Sequence, residues 1–486
     1  MSSILKITST YKHYAEVTPN KPAIVTEHTS LSYKDWYETV QHVARAFQGE
    51  KAENRRVALF LPNDVEFLQV FAGASEAGWA SIVCDRRWKA AEIAGRMEQT
   101  EPDLVIADVK MKRKLNHLSI KVIYSDELEQ WMDSKIDTYN QEEAGAFYIG
   151  FTSGSTGTPK AFIRSHASWI KSFTCNKVDL GFTAEEHVLI PGSFVNSTFL
   201  YGALSALYDG ATIYLLRKFS PSGINRYLKA YPITIIYVVP TMIQALIETN
   251  QTVNQHVTII STGAKLLPSV KRNLRELYQN AKVHEFYGTS ELSYITLLKD
   301  DDGEQFDASV GRPFYNVEVQ IRKENGEEAD LNEEGILYVK SGMIFDRYIN
   351  NPTETSKVRN GEWATVSDIA KMDEAGYIYI LGRKNDMILS GAYNIYPQEI
   401  EKVLREYHGV EEAAVVGVKD NYWGEKVAAF VQGDVSIQEL KSYCLRNLSI
   451  YKIPRVWKKV DSFPLTTGGK ISRRKLKESL EEGCYV

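Results

Sequence analysis

The sequence predicts an α/β protein whose chain ends in a smaller α+β domain, and three observations carry that expectation. Up to Val310, short apolar runs alternate with stretches of helical periodicity. After Val310 the runs become short, turn-bounded and alternating. From Pro397 an amphipathic helical pattern leads into a further strand-like run. At 486 residues the chain is too long for one hydrophobic core, so two or three domains are expected.

The runs at 57–61 (VALFL), 104–107 (LVIA), 233–239 (ITIIYVV) and 258–260 (TII) read as buried strands. Between them, 65–77 and 269–278 repeat apolar residues at helical spacing. Strands alternating with helices imply parallel sheets covered on both faces. The segments 335–340 (GILYVK), 361–365 (GEWAT) and 376–381 (GYIYIL) alternate between turns and predict an antiparallel or barrel-like region. The helix beginning at Pro397 and the strand at 410–416 predict a small α+β domain. The change of texture near Arg383 divides the chain into 1–382 and 383–486. There is no internal repeat and no low-complexity linker.

Hydrophobic residues at 44% and charged residues at 24% suit a globular protein in water. A net charge of −5 gives no global attraction to nucleic acid or to an anionic membrane, so local groups must hold any anionic substrate. Cys84, Cys175, Cys444 and Cys484 stand far apart and suggest neither a disulfide framework nor a zinc site. The N-terminus lacks a basic region followed by an apolar one, and no stretch reaches about 18 apolar residues. The expectation is a cytoplasmic enzyme without a membrane span.

The strongest local signal is 151–160 (FTSGSTGTPK), which follows the apolar run 146–149. Its glycines let the backbone turn tightly and approach a ligand. The hydroxyls of Thr152, Ser153, Ser155, Thr156 and Thr158, with the backbone N–H groups, can donate to phosphate oxygens, and Lys160 adds a positive charge. Gly157 is followed by Thr-Pro-Lys, which departs from the G-x-x-x-x-G-K-[ST] pattern of P-loop NTPases.

This loop resembles the signature of the adenylate-forming superfamily: acyl-CoA synthetases, nonribosomal peptide synthetase adenylation domains and beetle luciferases. The resemblance runs down nearly the whole chain, and acyl-CoA synthetases are the nearest branch. Residues 31–36 (LSYKDW) resemble the family's opening strand and helix, and 261–268 (STGAKLLP) its S-G-G-A-P-L segment. Residues 287–291 (YGTSE) match Y-G-x-[ST]-E, and 348–352 (YINNP) resemble Y-x-N-x-P. Residues 361–368 are similar to G-W-x-x-T-G-D, and 382–386 with 394–401 to the G-R-x-x-D and N-I-x-P-x-E-I-E hinge region. Residues 464–470 (PLTTGGK) resemble P-x-T-x-x-G-K.

The resemblance implies a large N-terminal domain of stacked mixed α/β sheets with a small β-barrel subdomain, followed by a small mobile α+β C-terminal domain hinged near 383–386. It implies ATP, Mg²⁺ and coenzyme A as cofactors and co-substrate. A carboxylate would attack the α-phosphate of ATP to give acyl-AMP and pyrophosphate, and the developing charge needs preorganised cations and donors. Lys470 is then expected to reach the carboxylate and α-phosphate, Ser290 to bond the α-phosphate, and Glu291 to hold Mg²⁺ as a hard oxygen ligand. The phosphate loop contributes Thr152, Ser153, Gly154, Ser155, Thr156, Gly157 and Lys160. Tyr287 is expected to stack on adenine, and the alternative for it is a core aromatic. Asp368 and Arg383 are expected at the ribose, although Arg383 can instead pair with Asp386. The nucleotide site also takes in Gly263, Ala264, Gly288, Thr289 and Ile380. Ser390, Gly391 and Tyr393 would wall a pantetheine tunnel in a second domain orientation.

Candidates for the acyl pocket are Phe194, Asn196, Ser197, Lys265 and Tyr294; Lys265 either lines the pocket or faces solvent. Three departures stand out. Asn196 replaces a histidine common in relatives, Ser367 replaces the glycine before Asp368, and Asn385 occupies a hinge position usually Asp or Lys. The expected substrate is a fatty or other monocarboxylic acid, with an aryl acid as runner-up. A stand-alone adenylation enzyme loading an acyl carrier protein shares every residue of the first half-reaction and remains the alternative. A luciferase-like oxygenase is a further one. A catalytically silent acyl- or nucleotide-binding protein is opposed by intact Lys160, Glu291, Asp368 and Lys470.

Overall fold

The apolar runs fold as buried parallel strands. All of run 57–61 but Leu61 lies in Arg56–Phe60, which pairs in parallel with Ala80–Val83 on one side and Leu104–Ala107 on the other. Ala80–Val83 in turn pairs in parallel with Ala146–Thr152. These strands are buried almost throughout, so both faces are apolar and their sequences show no alternation. Helix Val65–Glu76 follows the first of them and is started by Asp64, whose Oδ1 accepts the Val65 N–H at 2.9 Å. Ala58, Ile82, Val105 and Ile149 pack with Trp88, Ile93 and Met97.

A second sheet is built the same way. Ile235–Val238, Val257–Ser261 and Ala281–Thr289 pair in parallel, and helix Pro268–Leu277 connects the last two. Ile236, Ile259 and Val283 pack against Leu246 and Leu274. In both sheets a strand then turns back on itself. Ala146–Thr152 forms a hairpin with Lys160–Ser165, and Ala281–Thr289 forms one with Ser293–Leu298. The loops thus leave the carboxyl ends of parallel-paired strands, where open α/β sheets bind ligands.

The computed structural model describes residues 5–133, 145–152, 159–390, 393–420, 424–466 and 470–481, with Asn385, Tyr393, Asn394, Gly424 and Glu481 described through their backbone alone. Of the residues singled out above, Ser153, Gly154, Ser155, Thr156, Gly157, Thr158, Gly391 and Cys484 lie outside this set. The other cysteines are buried and unpaired. No helix among the described residues is long and apolar enough to cross a membrane.

The chain gathers into two compact units. One takes in Met1–Thr152, Lys160–Glu318 and Val339–Ala364, and so holds both parallel sheets. The other takes in Val319–Tyr338 and Thr365–Val486. In the second, Asp368–Met372 pairs antiparallel with Ile378–Arg383 and with Gly335 and Ile336. Helix Pro397–Arg405 lays Ile400 and Leu404 on Val415, Ala429 and Leu440, closing the small α+β core.

Candidate active site

Register fixes the base of the phosphate hairpin: Thr152 pairs directly with Lys160. Lys160 Nζ contacts the Glu354 carboxylate and lies 5.1 Å from the ring centroid of Tyr348. The Tyr348 hydroxyl donates to Glu291 Oε1 at 2.7 Å. Further along the strand, Arg164 donates through Nη1 to the Ser290 carbonyl at 3.0 Å and through Nη2 to the Met343 carbonyl at 2.6 Å. Arg164 is buried, which pulls its pKa down to about 10 while the charges of Asp346 and Glu291 oppose the shift. It stays cationic at neutral pH. The hairpin and the 287–291 motif are therefore bonded to one another within the first unit.

The 287–291 motif sits at the end of Ala281–Thr289, where the ladder shifts register between Tyr287 and Gly288. A β-carbon at Gly288 would stand 2.2 Å from the Ser293 carbonyl oxygen, so only glycine fits this turn. Thr289 Oγ1 accepts the Leu292 N–H at 3.1 Å, and the Phe345 N–H donates to the Glu291 carbonyl at 2.7 Å. Tyr287 and Ser290 are half-buried. No group of three His, Cys, Asp or Glu side chains able to enclose a metal occurs among the described residues. One carboxylate, Glu291, near the candidate phosphate hairpin fits Mg²⁺, which commonly takes one or two carboxylates and completes its shell with phosphate oxygens and water.

A third loop follows Val257–Ser261. Gly263 has φ 98°, a left-handed conformation that favours glycine, and leads into Ala264 and Lys265. Thr262 Oγ1 donates to the Phe286 carbonyl at 3.0 Å, which joins this loop to the strand carrying Tyr287. Lys265 Nζ pairs with Glu285 Oε1 at 2.7 Å, so it is engaged inside the unit and does not simply face solvent. Burial lowers the Lys265 pKa, with Glu285 opposing. Glu285 also holds Lys271 at 2.7 Å and accepts the Leu266 N–H at 2.9 Å.

The acyl candidates divide. Phe194 is buried against Phe67, ring centroids 5.1 Å apart, and its N–H donates to Asn63 Oδ1. Tyr294 is buried, stacks on Phe314 at 4.6 Å and donates to Asn176 Oδ1 at 3.3 Å. Asn196 caps helix Ser197–Asp209, its Oδ1 accepting the Thr198 N–H at 3.0 Å, and Ser197 is the first helical residue.

In the second unit Asp368 and Arg383 are cross-strand partners, with Arg383 Nε 3.1 Å from Asp368 Oδ1. Asp368 is buried while the Arg383 side chain is 53% exposed, and Arg383 thus pairs with the ribose candidate. Ile380, half-buried, lies on the same strand as Arg383. Ser390 is buried at the end of Ile388–Ser390 and pairs with Tyr393 and Gly424. Lys470 is exposed beside the bridge between Leu465 and Ile471, and its N–H donates to Thr466 Oγ1 at 3.2 Å. Two residues beyond that bridge, Arg473 opens helix Arg473–Glu481 and bonds both oxygens of buried Glu401 at 2.6 and 2.8 Å.

The sequence profile of the family described as AMP-binding enzyme matches residues 11–349, and that of the AMP-binding enzyme C-terminal domain matches 399–470. The chain belongs to the AMP-binding enzyme family. It is 42% identical to an uncharacterized acyl–CoA ligase, YhfT, of Bacillus subtilis over 98% of this chain and 99% of that one. It is 29% identical to VraA of Staphylococcus epidermidis, whose name provisionally assigns a long chain fatty acid–CoA ligase, over 98% of this chain and 99% of that one. Its fold matches the crystal structure of ATP-bound MatB from Rhodopseudomonas palustris with a TM-score of 0.90, at 24% identity over 99% and 100% of the two chains. Set against this family, the second unit supplies the ribose and lysine candidates, and the first supplies the phosphate and metal candidates. Arg164, Glu354 and Glu401 carry no site role in the sequence patterns. For Arg164 the available signal was a charge directly after the apolar run 161–163.

Proposed function

We propose that the 152–160 segment, Ser290 and Glu291 bind the phosphates of ATP, and that Asp368 with Arg383 takes the ribose. The observation that carries this reading is the bonding of the hairpin to the 287–291 motif through Arg164 and Tyr348. The chain is an AMP-forming acid:CoA ligase that passes through an acyl-AMP, with ATP, Mg²⁺ and coenzyme A as its cofactors and co-substrate.

The substrate carboxylate oxygen forms a bond to the α-phosphorus as the bond to pyrophosphate breaks. Lys160 and the loop donors offset charge on the leaving phosphates, and Lys470 offsets charge at the α-phosphate. Bound Mg²⁺ supplies further neutralisation of the phosphate oxygens, with Glu291 as the carboxylate that would hold it. The thiol of coenzyme A then attacks the acyl carbon and AMP leaves. In this reading residues 383–486 turn about a hinge near 383–386, presenting Lys470 for the first step and the 390–393 segment, with Ser390 and Tyr393, for the second.

A fatty or other monocarboxylic acid is the substrate class we favour. The naming of VraA and the apolar surroundings of Phe194 and Tyr294 support it. A cytoplasmic site of action fits the supply of ATP and coenzyme A. The test is pyrophosphate release over short, medium, long and aryl acids, with coenzyme A, with an acyl carrier protein, and with neither. Chain-length-dependent release with AMP as co-product, and thioester only with coenzyme A, is expected. ADP and orthophosphate as products would overturn the assignment, and thioester only on the carrier protein would replace the acceptor.

A further inference from the structure

Lys160 does not stand alone at the base of its hairpin. Its Nζ meets the carboxylate of Glu354, with the two side chains only 18% and 23% exposed, and the Tyr348 ring packs 5.1 Å away. Glu354 is set by its helix rather than by a wandering side chain. It is the third residue of Pro352–Val358, and its N–H donates to the capping Asn351 Oδ1 at 3.0 Å. Lys357, one turn later, also pairs with it. The bonds from Lys160 and then Lys357 hold the Glu354 carboxyl below its usual range, so it is anionic at neutral pH. An acid in the first turn of a helix is ordinary, because it complements the helix dipole. That does not account for its contact with the cation of a phosphate loop 194 residues earlier in the chain.

A fixed carboxylate against that cation both neutralises it and repels an incoming polyphosphate. We propose that Glu354 is a positioning residue that acts as a resident counter-ion for Lys160. The phosphate oxygens of ATP exchange with it, and its charge sets the affinity for ATP lower than the loop alone would give. This rests on the reading of Lys160 as a phosphate contact. Neither Glu354 nor its partner Lys357 lies within the motifs quoted above.

The test is a double-mutant cycle on the full chain, read as the Kd for ATP with Mg²⁺ in the absence of acid. Glu354→Gln keeps the side chain's size and the Asn351 cap but removes the charge. It should tighten ATP binding about two- to fivefold, the range expected for one partly exposed charge pair. KM for ATP should fall in parallel while kcat does not rise, and Glu354→Asp should restore the weaker binding. In the Lys160→Ala background the Glu354→Gln effect should vanish. Unchanged or weaker ATP binding by Glu354→Gln overturns the proposal. Tightening that persists without Lys160 also overturns it, since the carboxylate would then act on the nucleotide by another route. If Lys160→Ala alone leaves the Kd unchanged, the phosphate reading of Lys160 falls and the proposal falls with it. Loss of affinity in Lys160→Ala without the Glu354 effect removes only the proposal.

Discussion

Ser367 takes a left-handed backbone conformation, φ 62°, immediately before Asp368. Its N–H donates to Thr365 Oγ1 at 3.0 Å and its carbonyl accepts the Lys384 N–H at 2.9 Å, so the turn that presents Asp368 is bonded on both sides. The glycine usual at this place in relatives now has a physical reason, because a β-carbon in that conformation costs about 1–2 kcal/mol. Ser367→Gly should therefore be neutral or stabilising by about 0.5 kcal/mol, the relief being partly offset by the freedom glycine gains in the unfolded chain. Ser367→Val should lose about 1–2 kcal/mol, since a β-branched residue tolerates positive φ least. Thermal unfolding of the three proteins checks the order Gly, Ser, Val; a valine variant as stable as the parent would refute the strain. Asn196 shows the same kind of lesson. The sequence marks it as a departure from the histidine of relatives at a pocket mouth, and the structure adds that it caps a helix. Cap geometry depends on where the helix begins, and the sequence pattern leaves that uncertain by a few residues.

At the scale of elements, the strands and helices were legible because burial leaves its period in the chain. Runs 57–61, 104–107 and 258–260 all became buried parallel strands, and 65–77 and 269–278 became the helices Val65–Glu76 and Pro268–Leu277. The turns at 262–263 and 287–291 were legible through the glycines at the strand ends. The charges that tie elements together were not legible, since each depends on a partner far away in sequence. Arg164 meets Ser290 across 126 residues, and Arg473 meets Glu401 across 72. Glu401 shows what such a tie contributes. It is buried on helix Pro397–Arg405, receives Arg473, and accepts the Val415 N–H at 2.8 Å. Glu401→Gln removes the charge that compensates Arg473, and the expected loss is about 2–4 kcal/mol, toward the lower end because Arg473 is partly exposed. Lower unfolding temperature, with faster hydrogen exchange at the Val415 amide, is the expected result. Unchanged melting would mean that the pair contributes nothing to holding the last helix.

At the scale of the whole molecule, the residues we propose for the reaction are divided between two units, and the two half-reactions would ask different things of them. Thr152, Lys160, Ser290 and Glu291 belong to the first unit, and Asp368, Arg383, Ser390 and Lys470 to the second. Lys470 is exposed on a loop whose ends are closed by the pairing of Leu465 with Ile471 and by mutual bonds with Thr466. These bonds fix the backbone from which its side chain projects. A point charge of this kind matters only while negative charge grows at the α-phosphate, and losing one such group costs about 2.7–4 kcal/mol, roughly 10²–10³ in rate. Lys470→Ala should therefore nearly abolish acyl-AMP formation from acid and ATP. Thioester formation from supplied acyl-AMP and coenzyme A should persist within a few-fold, because no new charge develops on phosphorus when the thiol attacks the acyl carbon. A stability defect would depress both steps, so the ratio of the two rates is the informative quantity. If Lys470→Ala slows both half-reactions equally at unchanged unfolding temperature, Lys470 serves both steps and no turning of the C-terminal residues is needed to divide the work.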